Sequence, residues 1–313
     1  MLSNFFEIFL LISPVFILII LGNILRRIGV PDLSFWDVND KLVYWVLIPA
    51  LLFHHISQIN LSSSMFYSYG VVILSGLFIV TIVAITLGKL LGYSPESWSS
   101  ILQGASRHNA FIALAIAGSL FGDAGLVVGA VFMLLYVPSI NIVVISIMVS
   151  NLNQPGQTDS KKGIANIFVE LIKNPFILAM IAGLIFSLID SEKIVIIHET
   201  SGLLGSAALP IMLLTIGAKI KVRDLALKIT PILISNSLKL IAFPVIAYFV
   251  AKFMGLSQLE VIVAVIFASV PTAASSHALA KQFGGDAQLM TSIITTQVAL
   301  SFITIPVILA VIS

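Results

Sequence analysis

The chain has 313 residues, of which 59% are hydrophobic and 10% charged, and its mean hydropathy is +1.12. Soluble domains carry about 25% charged residues, so the solvent of this chain is the bilayer. The absence of cysteine excludes disulfides, thiolate metal sites and cysteine nucleophiles, and the formal net charge of +2 conceals a strong asymmetry along the chain.

A helix needs about 20 apolar residues to cross the hydrocarbon. The first apolar stretch, 5–25, has no positive residue before it and is followed by Arg26 and Arg27. With no small-residue cleavage site, it reads as a retained helix and not a cleaved signal. Further spans are expected at 41–57, 66–90, 98–120 and 124–150. The polar connector from Asn151 to Lys162 then halves the chain, and spans at 168–189, 199–218, 229–251, 259–282 and 287–311 follow. The fold class is therefore all-α integral membrane with ten transmembrane helices. Residues 1–150 form a first five-helix repeat, 151–165 a cytoplasmic connector and 166–313 a second repeat.

The two halves resemble each other. A shift of 161 residues matches Pro14 with Pro175, Gly22 with Gly183 and Pro49 with Pro210. A shift of 163 matches Lys89, Gly92 and Ser94 with Lys252, Gly255 and Ser257, and Gly122-Asp123 with Gly285-Asp286. Five helices is an odd number, so the second copy is inverted relative to the first. Inverted repeats are the architecture of alternating-access carriers, with the site at the midplane where the repeats meet.

Polar residues mark that midplane. The fourth span carries Arg107, His108 and Asn109 at mid-depth, and the shift of 163 places His108 on Pro271 and Asn109 on Thr272 in the ninth. A proline removes a backbone donor and presses on the carbonyl four residues back. Both helices are therefore expected to break here and cross; the alternative is that Pro271 merely kinks a packed helix. Breaks would set two half-helix N-termini, near Asn109 and near Pro271-Thr272, facing one cavity, and unpaired N–H groups at a positive dipole end suit an anion.

The intramembrane charges have the same sign. Arg107 and Lys239 fall within spans, with His108 and His277 at similar depth and no Asp or Glu at mid-span. A charge at the bilayer centre costs about 2.5–3.5 kcal/mol on insertion scales, so it faces a cavity or a partner. Arg107 and Lys239 are expected to hold an anion rather than the fold; the alternatives are that Lys239 caps backbone carbonyls at a helix break and that Arg107 snorkels. His277 is either a packing residue or a proton carrier. Asn141 and Gln297 either coordinate substrate or Na⁺ or, the first-ranked reading, bond a neighbouring helix. The His54-His55 pair reads as interfacial, without metal-ligand spacing around it.

Three stretches carry a family resemblance: Arg107-His108-Asn109-Ala110-Phe111-Ile112-Ala113-Leu114-Ala115-Ile116-Ala117, Asn236-Ser237-Leu238-Lys239-Leu240 followed by Pro244, and Pro271-Thr272-Ala273-Ala274 with Phe283-Gly284-Gly285-Asp286-Ala287. In this order and spacing the chain resembles the bacterial branch of the auxin efflux carrier family. The resemblance implies a five-plus-five inverted fold shared with bile-acid symporters and Na⁺/H⁺ antiporters. It also implies a scaffold of spans 1, 2, 6 and 7, a moving unit of spans 3–5 and 8–10, and carboxylate substrates such as auxin, malate or malonate. This chain departs from the antiporters in lacking mid-membrane aspartates, and its fourth span lacks the proline often found at the crossing.

An enzyme is not expected: no Asp-rich prenyl-diphosphate motif, His-Glu-x-x-His or Gly-x-Ser-x-Gly is present. The cytoplasmic loops are too short for a nucleotide-binding domain, and an anion channel is the rival from another class. The expected partners are a small organic anion and the lipid bilayer, with a homodimer left open. No nucleic acid and no cofactor are expected, and H⁺ or Na⁺ is a candidate coupling ion.

With the N-terminus outside, twelve lysines and arginines fall in inner loops and two, Lys193 and Lys252, in outer ones. Positive residues favour the cytoplasmic side, so both termini are expected in the periplasm. A reporter enzyme active only in the periplasm should therefore work when fused after Ser313 and stay silent at Thr158; the reverse pattern would overturn this orientation.

Overall fold

A computed structural model describes residues 5–58, 63–152, 173–188, 195–220 and 228–313. Most of the expected connector, 153–165, lies outside them, as does the start of the sixth span. All regular structure among the described residues is helical. Six stretches are long and apolar enough to cross a membrane: Phe5–Ile28, Phe66–Leu90, Pro95–Asn151, Val195–Lys219, Ile229–Phe253 and Ala287–Ile312. The chain is a multi-pass membrane protein.

Helix α1 is Phe5–Ile28. Next come α2 (Leu33–Leu42) and α3 (Ile48–Ile56), joined without a break by a π-helical turn, Val43–Leu47. Then follow α4 (Ser63–Leu90), α5 (Pro95–Ser106) and α6 (Ala110–Asn151). Gly122, at φ 57° and ψ −141°, divides α6 into 110–121 and 123–151, because only a residue without a Cβ takes that conformation cheaply. The second half comprises α7 (Pro175–Phe186), α8 (Val195–Lys219), α9 (Ile229–Ser237), a π-helical turn Leu238–Ala242, and α10 (Phe243–Phe253). It ends with α11 (Gln258–Ser269), α12 (Ser275–Phe283) and α13 (Ala287–Ile312).

Both π-helical turns have the same cause. Each ends two residues before a proline, Pro49 or Pro244, which offers no N–H and crowds the carbonyl one turn back. Widening the turn relieves that crowding, and the Ile48 and Phe243 amides reach back five residues to the Val43 and Leu238 carbonyls.

Backbone geometry repeats at the 163-residue shift around α5 and α11. Gly92 and Gly255 have φ of 71° and 70°. The N-cap residues Ser94 and Ser257 have φ,ψ of −62°,157° and −60°,159°, and Arg107 and Val270, which end the two helices, have −71°,153° and −67°,152°. The match lapses at the Gly-Asp pair: positive φ falls on Gly122 in the first half but on Gly284, one position early, in the second. There Asp286 caps α13 through the Leu289 N–H at 2.9 Å and binds Lys228 at 2.9 Å. Burial raises its carboxyl, but the Leu289 amide, Lys228 and Ser97 outweigh this and hold it below the ordinary range.

The helices pack in two groups. One contains α1, α2–α3, α7 and α8; the other contains α4–α6 and α9–α13, with α1, α3 and α8 meeting α6 and α13 between them. The first group is drawn tight by glycine. A Cβ on Gly22 would strike the Leu214 backbone, and one on Gly217 the Ile19 carbonyl, so α1 and α8 touch main chain to main chain. This approach lets Asn23 donate to the Gly217 and Ile220 carbonyls, at 3.1 and 3.0 Å, and Arg26 to the Ala218 carbonyl at 2.9 Å. The open C-terminal carbonyls of α8 are thereby satisfied from α1.

Gly217→Val should force these helices apart at a cost of about 1–3 kcal/mol and lower the melting temperature in detergent. Gly70→Ala, whose Cβ would meet nothing within 4 Å, should leave it unchanged or raise it slightly.

Candidate functional site

Between α5 and α6, and between α11 and α12, the chain runs extended through the protein interior. Main-chain groups freed at membrane depth need partners inside the protein. The two breaks supply them to each other: the Asn109 N–H donates to the Pro271 carbonyl at 2.8 Å. Thr272 Oγ1 donates to the Gly104 carbonyl at 2.8 Å and lies 3.4 Å from the Arg107 carbonyl. Gln297 on α13 spans both strands. Its Oε1 accepts the Thr272 N–H at 2.8 Å and its Nε2 donates to the Gly104 carbonyl at 2.9 Å.

The fourth span thus breaks without a proline. The Asn109 amide oxygen accepts from the Phe111 and Ile112 N–H groups at 3.2 and 3.3 Å, which is the N-cap arrangement that starts a new helix. This also fixes which way round the amide lies. Its Nδ2 is left with no protein partner among the described residues, although Asn109 is 4% exposed. The ninth span restarts later than expected, at Ser275 and not near Thr272. The cause is local: the Ser276 and His277 amides close turns onto the Ala273 and Ala274 carbonyls, so the first turn forms around Ala274.

Asn109 and Thr272 open onto a cavity of about 210 Å³. Ala274 and His277 form part of its wall, Thr291, Thr295 and Val298 of α13 another, and Ile216, Lys219 and Ile220 at the end of α8 the third. The cavity therefore lies where the two helix groups meet. A second cavity of about 490 Å³ lies at the other end of the same interface, beside Ala115, Ser119, Asp123 and the His54-His55 pair. His54 stacks on His198 with ring centroids 4.1 Å apart, a neighbour the sequence does not reveal.

The intramembrane cations do not line the smaller cavity. Lys239, fully buried, sits in the π-helical turn with its Nζ 3.5 Å from the Phe267 carbonyl, in the last turn of α11, and 4.9 Å from the centre of the Phe243 ring. Arg107 donates to Asn141 Oδ1 at 3.0 Å and lies 3.5 Å from Ser275 Oγ. Both stand behind the breaks, where Lys239 faces the C-terminal end of a half-helix. The His108 ring packs edge-on against Tyr136 with centroids 4.0 Å apart, and neither ring nitrogen has a hydrogen-bond partner. His277 Nδ1 lies 3.0 Å from the Ala287 carbonyl and 2.9 Å from Thr291 Oγ1.

The structure therefore joins Asn109, Pro271, Thr272 and Gln297 in one hydrogen-bonded unit, sets His277 at the cavity wall, and places Arg107, Asn141, His108 and Lys239 in the layer behind it. Sequence reasoning passed over Lys219, Thr291 and Thr295. No signal marks the threonines, and a lysine ending a helix looks like any other inner-loop charge.

The chain matches the membrane transport protein family model over residues 7–309. It belongs to that family. This is the auxin efflux carrier group to which the three stretches point. A relative from Methanothermobacter thermautotrophicus, described as an uncharacterized transporter, is 24% identical over 307 residues, covering 94% of this chain and 95% of its own length. The cavity accordingly lies in a membrane transport protein.

Gln297 should prove structural within that site. Gln297→Leu leaves the buried Thr272 N–H unpaired, at about 1–3 kcal/mol, and should lower thermal stability in detergent. A variant as stable as the parent would show that the crossing is held without it.

Proposed function

We propose that this protein is a secondary carrier that moves a small carboxylate across the inner membrane by alternating access, binding it at the crossing of the fourth and ninth spans. The observation that carries the reading is the unpartnered Asn109 Nδ2 at a half-helix N-terminus, opening with Thr272 onto a cavity between two separately packed helix groups. A donor that faces a cavity without a protein acceptor is a place for a ligand acceptor, and the helix end adds a favourable field for negative charge.

Ten spans in a five-plus-five inverted repeat accommodate the helices. The 57-residue stretch Pro95–Asn151 is long enough for two crossings at about 1.5 Å per residue, and Gly122 lets it turn between them. The matched backbone angles at the 163-residue shift support the repeat. The helix group of α1–α3, α7 and α8 serves as scaffold, and α4–α6 with α9–α13 as the transport unit. Asn109 and Thr272 contact the substrate, Pro271 braces the Asn109 N–H through its carbonyl, and Arg107, His108 and Lys239 contribute polarity from behind. His277, Asn141 and Gln297 form the secondary polar shell, with H⁺ or Na⁺ as candidate coupling ion. Both termini are periplasmic.

Uptake of malate, malonate and indole-3-acetate into liposomes holding the purified protein tests the substrate class, and flux of none of them would reject it. Asn109→Ala removes one hydrogen bond to a charged group, about 1.5–3 kcal/mol, and should raise the half-saturation concentration some ten- to hundredfold. Pro271→Ala removes the obstacle to a continuous helix and should lower the maximal rate at any concentration. Parental kinetics in both variants would exclude a site at the crossing.

A further inference from the structure

The wall facing Asn109 contributes a charge of its own. Among the described residues lining the smaller cavity, Lys219 is the one lysine, and neither an arginine nor a carboxylate stands beside it in that lining. It ends α8, in the helix group opposite the one that carries Asn109 and Thr272. Its backbone is not free to drift. Asn23 and Arg26 of α1 hold the Gly217, Ala218 and Ile220 carbonyls on either side of it. Asn39 of α2 donates to Thr215 Oγ1, one turn earlier, at 2.6 Å. A braced helix end thus brings a lysine to the cavity wall.

The only carboxylate on Lys219 among the described residues is Asp40 of α2, 2.7 Å from its Nζ, and both side chains are 37% exposed. An ion pair this open to water contributes little, about 0.2–1 kcal/mol. Asp40 does not line the cavity, whereas Lys219 does, so Lys219 borders the cavity while its ammonium pairs with a residue that does not. A carboxylate entering the cavity offers the same chemistry as Asp40 in a less hydrated place, where the attraction is stronger.

Resting on the carboxylate reading of the cavity, we propose that Lys219 is a second anion anchor, held in reserve by Asp40, that selects ligands with two negative groups over ligands with one. One carboxylate of such a ligand lies against Asn109 and the half-helix end, and the other draws Lys219 away from Asp40. A monocarboxylate gains only the first contact. The two anchors sit on different helix groups, so a dianion also ties the groups together across the cavity.

Titration calorimetry on the purified full-length protein in detergent, with malate and lactate as probes, separates the outcomes. Wild type should bind malate more tightly than lactate. Lys219→Gln should weaken malate about tenfold or more while barely changing lactate, erasing the preference. Asp40→Asn should tighten malate by up to roughly fivefold, because the competitor is gone. Melting temperatures follow both variants as a check on folding. An ion pair that serves only the fold would move malate affinity in the same direction in both variants, or in neither, and that result overturns the assignment. If wild type binds malate or lactate and the variants leave the ratio unchanged, the second anchor fails and the carboxylate reading stands. If wild type binds neither, and liposomes show no carboxylate flux, both fall.

Discussion

Backbone hydrogen bonding inside the bilayer constrains everything else in this protein. A helix satisfies its own main chain, and two helices that break at mid-depth expose donors and acceptors that water cannot reach. Here each break answers part of the other's need. Asn109 bonds Pro271, Thr272 bonds Gly104, and Gln297 accepts the Thr272 N–H while sharing the Gly104 carbonyl. The crossing is therefore a joint and not a defect, and its geometry cannot shift in one strand without leaving groups unpaired in the other.

The repeat is used unequally at this joint. Gln297 falls opposite Leu134 under the 163-residue shift, so the bridging side chain exists in the second half alone. Likewise the first break is closed by a side-chain cap, Asn109, whereas the second restarts through turns around Ala274 with no side-chain cap. One half-helix end therefore offers an oriented amide nitrogen to the cavity, and the other offers mainly the wall behind Thr272. This asymmetry suits a site that must grip one end of a small polar ligand.

Charge is arranged in layers around the same joint. Lys239 and Arg107 lie behind the breaks, fully or nearly buried, against carbonyl and neutral polar groups. A buried cation without an acidic partner is costly, and part of that cost is offset by the carbonyl-rich end of α11 and the face of Phe243. Lys219, by contrast, is half in water and paired with Asp40. The inner pair is held against packed carbonyl and amide groups, whereas the outer lysine reaches water.

Much of this is legible in the sequence. Apolar runs of membrane length, Pro271 and the 163-residue matches are local or periodic facts that point to breaks in the fourth and ninth spans, and the stretches around Arg107, Lys239 and Pro271 point to the family. The helices themselves follow from hydrophobic length and main-chain satisfaction, which any single segment decides for itself. The tertiary structure decided what no segment can: that Gln297 reaches two strands of the crossing, that Lys239 faces a helix end and not the cavity, and that Lys219 is brought opposite Asn109 from a helix more than a hundred residues away. Each depends on where one helix group rests against the other, and that is fixed by close approaches such as Gly22 and Gly217. A glycine in an apolar run shows that close approach is allowed; only the packed structure shows what comes close.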